Sequence, residues 1–229
     1  MNAPLADAEL ARLLSLAAHE VRNPLSTILG FIKIVLSRGE IPPQHREWLQ
    51  TAVNSCGRLT DVANQLSDYA RLVSGDTKLN RARTDLPAVL RETIDALPVF
   101  AEREVSVELG ATGPATLQAD RVWLKRAITA IIDALRREVG STNTLHVHQE
   151  NGEYQGKPAA WILIGDDDQL NVLRQQPKDS LGWFDDKERG NLGLTIWIAK
   201  WVLNAHGGGL WAPVTGAKGS GGIITLPTL

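Results

Sequence analysis

Along the first third of the chain, apolar residues return at alternating steps of four and three: Leu10, Leu14, Ala17, Val21, Pro24, Ile28, Phe31 and Val35. That spacing belongs to one stripe of a helix, since a strand would alternate every second residue. The segment Ser37-Arg38-Gly39-Glu40-Ile41-Pro42-Pro43 then supplies a glycine stop and two prolines suited to a new helix start. The stepping resumes at Leu49, Ala52, Cys56, Leu59, Ala63, Leu66, Ala70 and Val73. Two long amphipathic helices with a short connection predict an antiparallel hairpin. One hairpin has too little surface to bury its own stripe, so pairing with a second copy into a four-helix bundle is expected, which makes the protein a homodimer. Ser74-Gly75-Asp76-Thr77 interrupts the pattern and divides the chain into residues 1–75 and 76–229.

Beyond that boundary the periods are mixed. Residues 85–100 read as a helix capped by Thr84 or Asp85, 105–109 alternate as a strand, and 120–139 read as a second helix. Residues 144–150 alternate, 159–165 are continuously apolar and so predicted central, and 152–158 between them carry a hairpin turn. A third helix is predicted at 191–204, ended by Ala205-His206-Gly207-Gly208-Gly209, before two last strands near 210–212 and 223–226. Trp197 and Trp201, one helical turn apart, are expected to pack against the sheet. Helices on one face of a mixed sheet make an α/β sandwich. The fold class is therefore α+β, a helical hairpin followed by that sandwich.

Composition narrows the partners. The chain has 24 basic and 26 acidic side chains and a net charge of −2, which gives no electrostatic case for nucleic acid or an anionic membrane. The start, Met1-Asn2-Ala3-Pro4-Leu5, lacks the features of a signal peptide, and the apolar run 28–36 is broken by Lys33 and too short to span a bilayer. A cytoplasmic protein without its own membrane anchor is expected. The single cysteine, Cys56, excludes an internal disulfide and is read as a small core residue. His146 and His148 share one strand face, which is more often a polar surface than a metal site.

The chemistry concentrates in His19-Glu20-Val21-Arg22-Asn23-Pro24-Leu25. His19 falls on the helix face turned away from the apolar stripe, and Asn23 follows one turn later on the same surface. Neutral imidazole is a good nucleophile, and a neighbouring carboxylate such as Glu20 can accept from one ring nitrogen and leave the other free to attack. Pro24 removes a backbone donor and is expected to bend or loosen this turn.

This string closely resembles the phospho-accepting H-box of two-component sensor histidine kinases, and the order of elements after it resembles their ATP-binding domain. The resemblance implies His19 as phospho-acceptor, Glu20 as its base, and Asn23 as a residue that positions water for dephosphorylation of a partner. It also implies three nucleotide-binding boxes, which depart from the family's pattern. The helix matching the asparagine-rich box reads Ala130-Ile131-Ile132-Asp133-Ala134-Leu135-Arg136-Arg137, with no asparagine, leaving Asp133 as the one stand-in for a magnesium ligand. In Ile164-Gly165-Asp166-Asp167-Asp168-Gln169-Leu170 the adenine-reading aspartate aligns with Asp166, but Asp168 and Leu170 replace two glycines. Arg189-Gly190-Asn191-Leu192-Gly193-Leu194 keeps Gly190 and Gly193 of a phosphate-cradling turn, while Arg189 and Asn191 stand where glycine is usual. Asp166, Gly190 and Gly193 thus read as a vestigial nucleotide site, with Leu170 or Trp183 expected to fill part of the vacated pocket.

The leading expectation is a histidine phosphotransferase that exchanges phosphoryl between His19 and receiver-domain aspartates of response regulators, with an upstream hybrid kinase as a further candidate partner. No cofactor is then required by this chain, because the receiver brings its own Mg²⁺. Two alternatives stand beside it: an ATP–Mg²⁺-dependent histidine kinase with a divergent site using Asp166 and Asp133, and a non-catalytic pseudokinase that binds or sequesters a kinase or regulator.

Overall fold

A computed structural model describes residues 3–38, 41–97, 105–138, 144–175, 182–184, 193–212 and 221–229, and the chain divides into two compact units, Met1–Lys78 and Leu79–Leu229. The first is a hairpin of α1 (Ala3–Ser37) and α2 (Pro43–Val73). Pro43 opens α2 at a position where its missing N–H costs nothing. The helix α1 runs unbroken through Pro24, so the turn is not interrupted, although the proline leaves the Glu20 carbonyl without its usual donor.

The stripe that faces α2 is not the one the apolar stepping singled out. Ala11, Ala18 and Leu25 of α1 are buried, as are Cys56, Ala63, Ala70 and Leu72 of α2. Small residues dominate this contact and let the helices approach closely. Phe31, by contrast, is 66% exposed, and Leu10, Val21, Ile28 and Val35 are exposed with it. The helix α1 is apolar on two adjacent faces, and periodicity alone does not say which of them meets α2.

The second unit runs β1 (Ala82–Asp85), α3 (Leu86–Asp95), β2 (Val107–Leu109), β3 (Thr116–Ala119), α4 (Arg121–Glu138), β4 (Leu145–Tyr154), β5 (Lys157–Gly165), α5 (Asp167–Gln175), β6 (Gly182–Trp183), α6 (Leu194–Ala205), β7 (Gly209–Ala212) and β8 (Gly222–Pro227). Strands β1 and β3 form a small antiparallel pair that the sequence reading lacked, and the helix expected at 85–100 begins after β1. The other six form one mixed sheet in the order β2-β4-β5-β8-β7-β6, with β2 parallel to β4 and every other pairing antiparallel. The β4–β5 hairpin is longer than predicted, turning on Gln155 and Gly156 alone, both at positive φ.

Register assigns the two faces. Gly222 lies under Leu135 of α4, so Ile224 and Leu226, and opposite them Ile162 and Ala160, share the α4 face. Leu124, Ile128, Ile131, Ile132 and Leu135 of α4 and Ile196, Ala199, Val202 and Leu203 of α6 are buried. Trp197 departs from its expected place: it is 47% exposed, with the Lys200 ammonium 5.3 Å from its ring centroid. The inward positions of α6 are held by smaller aliphatics, which fit closer to the sheet.

The opposite face carries α5, an element with no counterpart in the sequence reading. Leu170 and Leu173 pack with Ala159, Trp161, Leu163 and Ile223, the alternate residues of β5 and β8. Leu170 is therefore buried on the side away from α4 and does not fill space beside that helix; the side chain of Trp183 lies outside the described residues. Among the described residues, no helix is long and apolar enough to cross a membrane.

Candidate functional site

His19 projects from the middle of α1 and is exposed, as are Glu20 and Asn23. The closest charged partner of the ring is not Glu20. Arg22, one turn further on, brings Nη1 to 3.4 Å from Nδ1 of His19. Its other terminal nitrogen, Nη2, donates to Asn64 Oδ1 and Ser67 Oγ of α2, each at 3.1 Å. Ser67 in turn donates to the Ala63 carbonyl at 3.1 Å, which fixes its rotamer. One guanidinium thus ties the histidine ring to the partner helix. The sequence alone assigns no role to these three residues: Arg22 is legible as a helical neighbour at i+3, but Asn64 and Ser67 come into reach only through the hairpin register.

The second group of candidates lies in the other unit. Asp166 follows β5 and opens α5 as a reciprocal capping box: Oδ1 accepts from the Gln169 amide at 3.0 Å, while Gln169 Oε1 accepts from the Asp166 amide at 2.8 Å. Gln169 Nε2 also donates to Asp166 Oδ2 at 3.0 Å, so both carboxylate oxygens are engaged by one residue, one through its backbone amide and one through its side chain. Asp167 reaches back to His146, 3.4 Å from its Nε2, and Asp168 is exposed in the first turn. The pattern Asp-x-x-Gln was a visible helix start, hidden among three aspartates that read as a loop.

Asp133, the stand-in magnesium ligand of the kinase alternative, faces Arg136, whose Nη1 stands 3.3 Å from Oδ1. Burial raises its carboxyl above the usual range, against the lowering pull of Arg136 and Arg137. Gly193 caps α6 at φ 89°, a left-handed conformation that glycine adopts without strain. Gly190 lies outside the described residues, as does most of the segment between β6 and α6. His146 and His148 do share the α5 face of β4, with ring centroids 6.2 Å apart, and no cluster of three metal-ligating side chains occurs among the described residues.

A helical hairpin presenting an exposed histidine, followed by a mixed-sheet α/β sandwich, defines the core of a sensor histidine kinase. Comparisons with known proteins point to the same core. Residues 9–75 match the His Kinase A (phospho-acceptor) domain. The sensor protein CzcS of Cupriavidus metallidurans is 30% identical over 212 residues, covering 87% of this chain and 42% of CzcS. Among solved structures, full-length ShkA in complex with AMPPNP superposes with a TM-score of 0.66 at 19% identity, over 95% of this chain and 46% of ShkA. The histidine kinase AdeS of Acinetobacter baumannii gives 0.58 at 18%, over 92% of this chain and 98% of that one. These likenesses establish the fold of both units. The chain spans less than half the length of CzcS.

Proposed function

We propose that this protein is a member of a His–Asp phosphorelay in which His19 carries the phosphoryl group and exchanges it with receiver-domain aspartates of response regulators. The observation that carries this reading is a contrast between the two units. His19 is exposed on a hairpin matching the phospho-acceptor domain, while the carboxylate aligned for reading adenine is already engaged through both oxygens by Gln169. In the transfer, the P–O bond to a receiver aspartate breaks and a P–N bond to the imidazole forms, with the aspartate leaving as carboxylate. Little machinery is needed from this chain beyond positioning the ring, since the receiver supplies its own Mg²⁺. The same reading makes the protein a cytoplasmic homodimer, loaded by an upstream hybrid kinase or a phosphorylated receiver.

A second reading, the ATP-dependent sensor kinase, is favoured by the match to CzcS across 87% of this chain. The two separate in one experiment. The protein is incubated with a radiolabelled phospho-receiver or with labelled ATP and Mg²⁺, alongside His19→Ala. Label acquired from the receiver and not from ATP, and lost in His19→Ala, is expected; acid-labile label from ATP on His19 would favour the kinase, and undiminished receiver labelling of His19→Ala would remove both.

A further inference from the structure

We propose that Arg22 is a positioning residue that holds His19 in its resting tautomer and must leave Nδ1 before the ring accepts phosphoryl through Nε2. This deepens the phosphorelay reading and rests on it for its biological meaning. A guanidinium has five N–H donors and no acceptor. A neutral imidazole nitrogen that faces it does so with its lone pair, so the ring proton sits on Nε2 while Arg22 stands 3.4 Å from Nδ1. A protonated Nε2 has no lone pair for attack. The other nitrogen has one, but it is directed at the guanidinium.

Attack through Nε2 requires the opposite tautomer, with the proton on Nδ1. That proton needs an acceptor, which Arg22 cannot be and the adjacent Glu20 can. The exchange is more than a rotamer flip, because Arg22 is also bound to Asn64 and Ser67 on α2. Those contacts retain the guanidinium, and a shift of α1 against α2 that draws it away or brings it closer changes the reactivity of a histidine that need not itself move.

The test uses the whole chain and a chemical phosphoryl donor, phosphoramidate, whose P–N bond breaks with loss of ammonia as a P–N bond to histidine forms. Nitrogen-15 NMR of the ring reports the tautomer, and the rate of His19 labelling is read against exposed His45 as internal reference. Arg22→Met is expected to raise the Nδ1–H fraction of His19 and to speed labelling at its Nε2 several-fold relative to His45. Asn64→Ala combined with Ser67→Ala, which keeps the guanidinium and removes its anchors, is expected to move both readouts the same way. An unchanged tautomer ratio, or slower relative labelling, in Arg22→Met would overturn the proposal, since a purely structural role changes hairpin stability without moving that ratio. Failure of wild-type protein to take label from any phospho-receiver would sink the phosphorelay reading instead and leaves these two measurements valid.

Discussion

His206 sits at the end of α6 with both ring nitrogens committed. Nδ1 lies 2.7 Å from the Val202 carbonyl and must donate to it, so Nε2 is the acceptor for the Asp120 amide at 2.9 Å. This neutral tautomer joins α6 to the start of α4, and Arg81 adds a bond to the Ala205 carbonyl. Gly207 follows at φ 78°, and at Gly208 a side chain would meet the Thr225 carbonyl oxygen, so the glycines after the histidine serve a turn and a close approach. Burial lowers the His206 pKa from 6.5, with the nearby Arg81 acting in the same direction and the Val202 bond and Asp120 opposing. The sign follows. Above 6.5 the imidazole is neutral in both states and its contribution is complete; below 6.5 the unfolded chain takes up a proton that the folded chain refuses, and stability falls until the folded pKa is reached. His148, lowered by burial and then by Arg174, adds a loss of the same sign. Urea midpoints are therefore expected to drop as pH falls below 6.5, and His206→Ala, which orphans the Asp120 amide, to cost about 1–3 kcal/mol at neutral pH while flattening that slope. A slope as steep in the variant as in the parent would assign the pH dependence elsewhere.

The helix α5 is the element on which the two readings of the nucleotide region divide. If Asp166 reads adenine, removing its carboxylate abolishes nucleotide binding; if it caps α5, the loss falls on stability. Asp166→Ala is expected to lower unfolding free energy by about 1 kcal/mol and to leave receiver-dependent labelling of His19 intact. Leu170→Ala, which empties a site between α5 and the sheet, is expected to cost about 2–5 kcal/mol, measured by chemical denaturation. A collapse of ATP binding in Asp166→Ala without a stability change would instead support the adenine role. What was legible here and what was not has a physical cause. Long elements with a sustained period, such as α1, α2, α4 and β5, were readable because many residues repeat the same choice. The strands β1 and β3, four residues each, are too short for a period to emerge. The helix α5 was hidden because Asp167 and Asp168 favour the first turn of a helix as much as they favour a loop. The residues His19, Glu20 and Asn23 were legible as a string, yet the link from His19 through Arg22 to Asn64 and Ser67 depends on how two helices align.

At the scale of the whole molecule, the exposed apolar stripe of the hairpin demands a partner surface. Leu10, Leu13, Val21, Ile28, Phe31, Ile34 and Val35 on α1, with Leu59 and Val62 on α2, are all more than 40% exposed, while the α2-facing stripe of α1 is closed. So many large side chains along one hairpin exceed the scattered exposure normal for a monomer. Each one fully covered contributes about 1.5–3 kcal/mol before ordering costs, enough for a few of them to sustain association. A second copy supplies a stripe of the same length and spacing, and the stepping of four and three is the one that lets two hairpins interlock side by side. The net charge of −2 opposes self-association only weakly. Sedimentation equilibrium is expected to give a dimer for the parent chain, and Ile28→Glu combined with Phe31→Glu to give a folded monomer, because both positions lie away from the Ala11–Ala18–Leu25 contact that holds α1 to α2. If the parent sediments as a monomer, the stripe serves another partner and the four-helix arrangement is wrong. If the double variant unfolds the hairpin, circular dichroism will show it, and Phe31→Ser alone then carries the comparison through its weakened dimer affinity.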